Sequence, residues 1–140
     1  MIIGFTGTRK GMTPAQALKV GEVLTNLKIL HGASEFVHGC EEHSDLTAAG
    51  LADGLGMLIT GRPGPTSTGT KYDAYTCPPE PFLVRNEKIV RDCEVLIACP
   101  SGKSEKRRSG TWHTVRQARK TSTPIVFVYP DGKVYQEGQA

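Results

Sequence analysis

The sequence predicts an α/β fold, doubly wound around a mainly parallel five-stranded Rossmann-like sheet with helices on both faces. Three observations predict it. Short β-rich apolar runs alternate with stretches of helical periodicity along the chain. Most runs end in a turn that carries glycine or proline. The run Glu94-Val95-Leu96-Ile97-Ala98-Cys99 is almost continuously apolar, as a strand buried on both faces of a parallel sheet must be.

Met1 to Thr8 opens with the β-rich run Ile2-Ile3-Gly4-Phe5-Thr6 and turns at Gly7-Thr8-Arg9-Lys10-Gly11. Thr13 is a good N-cap and Pro14 a good first helical residue. Val20, Val23, Leu24, Leu27 and Leu30 carry that helix forward, and His31-Gly32 closes it. Glu35 to His38 forms a second strand, turning at Gly39-Cys40. Ser44-Asp45 is expected to cap a helix through Ala48, Ala49, Leu51 and Ala52, which ends at Gly54. Met57-Leu58-Ile59-Thr60 is a third strand.

Residues 61–81 hold five prolines and three glycines without apolar periodicity, and read as a surface excursion. A helix from Phe82 to Cys93 follows, with Arg85 and Asn86 near its start as an exposed polar pair. After the fourth strand comes the polar loop Pro100 to Arg108 and a helix from Gly110 to Thr121. Pro124 to Tyr129 is the fifth strand, stopped by Pro130-Asp131-Gly132. Residues 1–135 make a single domain, and 136–140 a flexible tail.

Composition narrows the function. No run approaches the ~18 apolar residues that span a membrane, and the N-terminus has its apolar residues ahead of its charges, the reverse of a secretion signal. A cytoplasmic protein is expected. The four cysteines show no metal-finger spacing, and His38, His43 and His113 no paired ligand spacing, so neither metal nor cofactor is expected. Net charge is only +3, but residues 101–120 carry seven Lys or Arg against one Glu. Such a local patch attracts an anionic small molecule more readily than it coats a duplex.

In the strand order 3-2-1-4-5 the turn after strand one faces the loop after strand four across one crevice. Two helix N-termini, at Gly7–Thr13 and Ser109–Thr111, would then converge with Arg9, Lys103, Lys106, Arg107 and Arg108. Helix N-termini offer unpaired N–H groups to anions. Two standard phosphate motifs are absent. Gly102-Lys103-Ser104 mimics the end of a P-loop, but the upstream glycine position is Ile97, and no G-x-G-x-x-G occurs. Trp112, in the first turn of the last helix, suits either base stacking or core packing.

Four stations remain: GFTGTR at strand one, HGCEEHSDLTAA after strand two, RNEKIVRDCEVLIACPSG, and SGTWHTVRQARKTSTPIVFV. Together, and in this order, they resemble the SLOG superfamily, which includes the LOG phosphoribohydrolases and the DNA-processing protein A family. The resemblance covers nearly all the chain except 61–81. It implies a nucleotide-type ligand and a homo-oligomer. The expected ligand-binding residues are Gly7, Thr8, Arg9, Gly39, Cys40, Asp45, Arg85, Asn86, Pro100, Ser101, Gly102, Ser109, Gly110 and Thr111. The chain departs from the LOG pattern P-G-G-x-G-T-x-x-E, however. Thr114 stands at the glutamate's place, and Lys103 to Arg108 are inserted. Cleavage of an N-glycosidic bond needs a carboxylate near the anomeric carbon, so Asp45, Glu42 or Glu41 would have to replace it. Binding of a nucleotide or nucleotide-derived phosphate ligand is therefore the first expectation. N-glycoside hydrolysis of nucleoside 5′-monophosphates is the second, and single-stranded DNA binding the third.

Overall fold

A computed structural model describes residues 1–138. Seven strands form one sheet: β1 (Ile2–Gly7), β2 (Glu35–His38), β3 (Leu58–Gly61), β4 (Tyr75–Thr76), β5 (Val95–Cys99), β6 (Ile125–Val128) and β7 (Val134–Glu137). Four helices connect them: α1 (Pro14–His31), α2 (Ser44–Gly54), α3 (Phe82–Asp92) and α4 (Gly110–Lys120). The spatial order is β4-β3-β2-β1-β5-β6-β7, parallel throughout except for β7. The predicted five-strand order is present at its centre, extended by one edge strand at either side.

Both edge strands correct the sequence reading. β4 arises inside the 61–81 excursion, where Tyr75 and Thr76 pair with Thr60 and Gly61. β7 takes in Gln136 and Glu137, which were expected in the tail; residues 139–140 lie outside the described residues. Pro130-Asp131-Gly132 is a hairpin turn, in which the Gly132 amide, at φ +84°, donates to the Tyr129 carbonyl.

Side chains of the central strands alternate between two cores, as a pleated strand requires. Val95, Ile97 and Cys99 face α1 and α2, where Phe5, Val20, Leu24, Phe36 and Ala48 are buried. Leu96 and Ala98 face α3 and α4, with Ile89, Trp112, Val115 and Phe127. Trp112 is a core residue, its ring 5.8 Å from that of Phe127. Cys40, Cys77, Cys93 and Cys99 are all buried free thiols. Burial pushes the Cys93 thiol up to about 12, and Cys99 above its ordinary value as well. No helix among the described residues is long and apolar enough to cross a membrane.

α1 starts as its sequence dictates. The Thr13 hydroxyl accepts from the Gln16 amide while the Gln16 side chain accepts from the Thr13 amide, and Gly32 closes the helix in the left-handed region. α2 does not start as expected. Its cap is His43, at φ +68°, and neither Ser44 nor Asp45 caps it. The Ser44 hydroxyl donates to the Thr8 carbonyl instead, and the Asp45 carboxylate accepts from the Gly39 and Glu41 amides.

The 61–81 segment is fastened at three points. Arg62 pairs with Asp92 of α3 at 2.6 Å, Glu80 pairs with Lys88, and Asp73 is buried against the end of β2. Asp73 accepts from His38 Nε2 at 2.8 Å and from both the amide and the hydroxyl of Thr70. Burial alone would raise its carboxyl, but the His38 and Thr70 hydrogen bonds outweigh it and hold the group at about 2, below the ordinary 3.8. A carboxyl with a lowered folded value contributes stability above its unfolded value and loses it as pH falls through the folded one. Asp73→Asn should therefore destabilise the protein by about 2 kcal/mol at neutral pH. Denaturant titrations should show the gap from wild type closing as pH falls from 3.8 toward about 2.

Candidate functional site

Chain direction places the site. β1 and β5 are adjacent, parallel and in register up to Gly7 and Cys99, and the segments that follow them diverge to opposite faces of the sheet. A crevice of about 350 Å³ opens between them at their carboxyl ends. One wall is Thr6 to Lys10, and the facing wall is Ser101, Lys106 and Arg108 to Thr111. Gly39, Glu41 and Asp45 complete the lining together with Arg85, which is bonded to the first two, and with Asn86 and Ile89.

The α4 N-terminus supplies the donors. The Ser109 hydroxyl accepts from the Trp112 amide, and the Ser109 carbonyl from that of His113. The first two helical amides, of Gly110 and Thr111, have no hydrogen-bond partner among the described residues, and both residues line the crevice. Four cations not held in ion pairs among the described residues share the crevice lining with them: Arg9, Lys10, Lys106 and Arg108. Lys106 Nζ donates to the Ser101 hydroxyl, and Arg9 lies 5.3 Å over the Phe82 ring. This wall can neutralise a polyvalent anion.

Only one of the two expected helix N-termini is there. The N-terminus of α1 lies away from the crevice, its cap closed by Gln16, whose buried side chain also donates to the carbonyls of Pro100 and Val128. Pro100 therefore serves the α1 cap, and neither it nor Gly102 lines the crevice. Lys103 pairs with Asp131 at 3.4 Å, and the Arg107 carbonyl accepts from Arg116; both lie outside the lining. Lys10 was not among the expected ligand residues.

The stations after β2 and at α3 have an internal task. Arg85 and Asn86, expected to be exposed, are buried. The Arg85 guanidinium donates to the carbonyls of Gly39 and Arg62, to Asn86 Oδ1, and to Glu41 Oε1 at 3.1 Å. Asn86 also contacts His113 Nδ1 at 3.3 Å. A Cβ at Gly39 would sit 2.6 Å from Arg85 Nη1 and 3.1 Å from Asp45 Oδ2, so this glycine makes room for the ionic cluster. Gly7 likewise admits Ser44, whose Cβ would be 2.7 Å away. Gly110 meets nothing within 4 Å and faces open space. Burial raises the Asp45 carboxyl above its ordinary value; His38, the Glu41 amide and Arg85 oppose this.

A second lobe of about 500 Å³ adjoins the first, sharing Arg9 and Glu41 with it. Cys40 and Glu42 lie there, with Leu46 and the wall Thr66 to Thr70. Beneath it, ligand atoms of His38, Cys40 and Asp73 lie within 4.8 Å of one another. Their hydrogen bonds do not suit a metal. The Cys40 amide donates to His38 Nδ1, so Nε2 carries the proton donated to Asp73, and the Cys40 thiol, raised by burial and by Asp73, also points to that carboxylate.

No protein-family model matches the chain, and no curated protein matches it in sequence. Solved structures do match. The molybdenum cofactor binding protein of the phototrophic bacterium Rippkaea orientalis is similar at a TM-score of 0.69 and 22% identity, over 91% of this chain and 76% of that one. The molybdenum cofactor carrier protein of Chlamydomonas reinhardtii is similar at 0.68 and 20%, over 90% and 74%. DNA processing protein A from Streptococcus pneumoniae is similar at 0.65 and 19%, over 89% of this chain but only 49% of that protein. The chain thus shares with these proteins a Rossmann-like α/β fold.

Proposed function

We propose that the protein binds a phosphate-bearing small molecule of nucleotide type in the crevice between the β1 and β5 loops. The observation that carries this reading is the pair of unpartnered amides of Gly110 and Thr111, in a crevice also lined by Arg9, Lys10, Lys106 and Arg108. Of the structural neighbours, two are described as binding or carrying the molybdenum cofactor, which favours a small-molecule ligand over a polymer. Trp112 is buried in the core and Phe5, the aromatic residue in the lining, is fully buried too, so neither offers the stacking platform that single-stranded nucleic acid uses.

The protein holds its ligand rather than cleaving it. Both amides that Asp45 accepts tie its carboxylate to the β2 turn, and Glu41 is engaged by Arg85. Glu42 lines the second lobe, not the crevice that holds the phosphate donors. The Thr114 hydroxyl donates to the Gly110 carbonyl and is buried, so it activates no water. Incubation with AMP, GMP, CMP and UMP should release no free base on chromatographic analysis.

AMP or GMP at a hundredfold excess over Kd should stabilise the protein by about 2.7 kcal/mol in thermal unfolding. The bare nucleoside should not, and added salt should weaken the effect. Gly110→Leu finds no obstructing atom in the protein but projects into the crevice. It should abolish the nucleotide shift while moving the ligand-free stability by no more than about 0.5 kcal/mol. An unchanged nucleotide shift in this variant would overturn the proposed site.

A further inference from the structure

The two lobes differ in charge balance: the first has an excess of Lys and Arg over its two carboxylates, and the second has Glu41 and Glu42 with Arg9, at the junction, as its single Lys or Arg. The first is lined by five Lys or Arg side chains, of which Arg85 is paired with Glu41, while the Asp45 carboxylate is buried on backbone amides. The second lobe's remaining lining is His43, 3.9 Å from the Glu42 carboxylate, with Cys40, Leu46 and the uncharged, hydroxyl-bearing stretch Thr66 to Thr70. This wall is preformed. The Ser67 hydroxyl accepts from the Gly64 amide, and Thr70 is fixed twice to Asp73.

Glu41 stands where the lobes meet. Its Oε1 accepts from Arg85, a side chain only 6% exposed, which fixes the carboxylate in place. Its second oxygen has no hydrogen-bond partner among the described residues. A fixed anionic acceptor beside a cationic pocket attracts hydroxyl or amine donors and repels a second anion.

We infer that the ligand lies across both lobes in one orientation. Its phosphate end sits at the α4 N-terminus, and its uncharged, hydrogen-bond-donating half sits in the second lobe against Glu41. Glu41 is the residue that sets this orientation. The inference rests on the phosphate reading above and adds a rule of selection: a ligand anionic at both ends is disfavoured. The 61–81 segment, through its Thr66–Thr70 wall, then determines what the uncharged half can be.

The test measures binding of inorganic phosphate, AMP and adenosine 3′,5′-bisphosphate to the full chain by calorimetry. Wild type should bind AMP at least about tenfold tighter than inorganic phosphate, and the bisphosphate at least about fivefold more weakly than AMP. Glu41→Gln keeps an oxygen for Arg85 but removes the charge, and should bring the bisphosphate to within about twofold of AMP. Thr68→Trp, at an exposed position on the second-lobe wall, should weaken AMP at least about fivefold and leave inorganic phosphate within about twofold. Bisphosphate binding as tight as AMP in wild type overturns the inference, as does unchanged AMP binding in Thr68→Trp. Inorganic phosphate that binds without these discriminations defeats this inference alone. Failure of phosphate and both nucleotides to bind defeats the proposed function with it.

Discussion

The buried guanidinium of Arg85 is the constraint from which the site's shape follows. A charge taken out of water is tolerated only when its donors are satisfied. Here they reach the turn after β2, the start of the 61–81 segment, the neighbouring Asn86 and Glu41. Two stretches remote in sequence, the turn after β2 and the start of the 61–81 segment, are thereby fixed to the first turn of α3. The Asp45 carboxylate complements this from the other side by collecting the Gly39 and Glu41 amides. The two together leave no room for a side chain at position 39, so a glycine there is a packing requirement. An interior ionic network of this kind makes the crevice wall stiff, so the α4 amides and surrounding cations face a cavity whose dimensions are already set.

Much of the fold was legible because its signals are local. Continuous burial of Val95 to Cys99 follows from an apolar run, and α1 from Thr13, Pro14, Gln16 and Gly32. The crevice between the β1 and β5 loops was legible too, since strand order and chain direction in a doubly wound sheet fix where those loops meet. The edge strands were not. Tyr75–Thr76 is too short to show alternation, and Val134–Glu137 is largely exposed, so neither carries an apolar pattern. The Asp131-Gly132 pair before β7 was the available hairpin signal, and it was read only as a stop.

Side-chain roles were harder to foresee than positions. Arg85 and Asn86 fall on a helix start, where polar residues are ordinarily solvated, and nothing nearby announces that their partners are carbonyls from other segments. Asp45 has the spacing of a helix cap yet serves the preceding turn, because His43 takes the cap position with a positive φ. The α1 N-terminus was expected in the crevice, but Gln16 bridges it to Pro100 and Val128. In the first turn of α4 the largest side chain, Trp112, turns into the core instead, and Gly110 keeps the approach open. That contrast of Gln16 with Gly110 decides which helix end can meet a guest.

The raised thiols of Cys40, Cys93 and Cys99 have a consequence for how the chain answers its chemical surroundings. Sulfur reacts as thiolate, and groups held well above their ordinary titration are almost wholly protonated near neutrality. Cys93 is further hemmed in by the strand beside it, its sulfur lying 2.7 Å from where a methyl on Gly4 would be. Electrophiles and oxidants thus meet an unreactive surface while the sheet is closed. Alkylation becomes a clock for how often it opens, with each cysteine timing the layer in which it is packed.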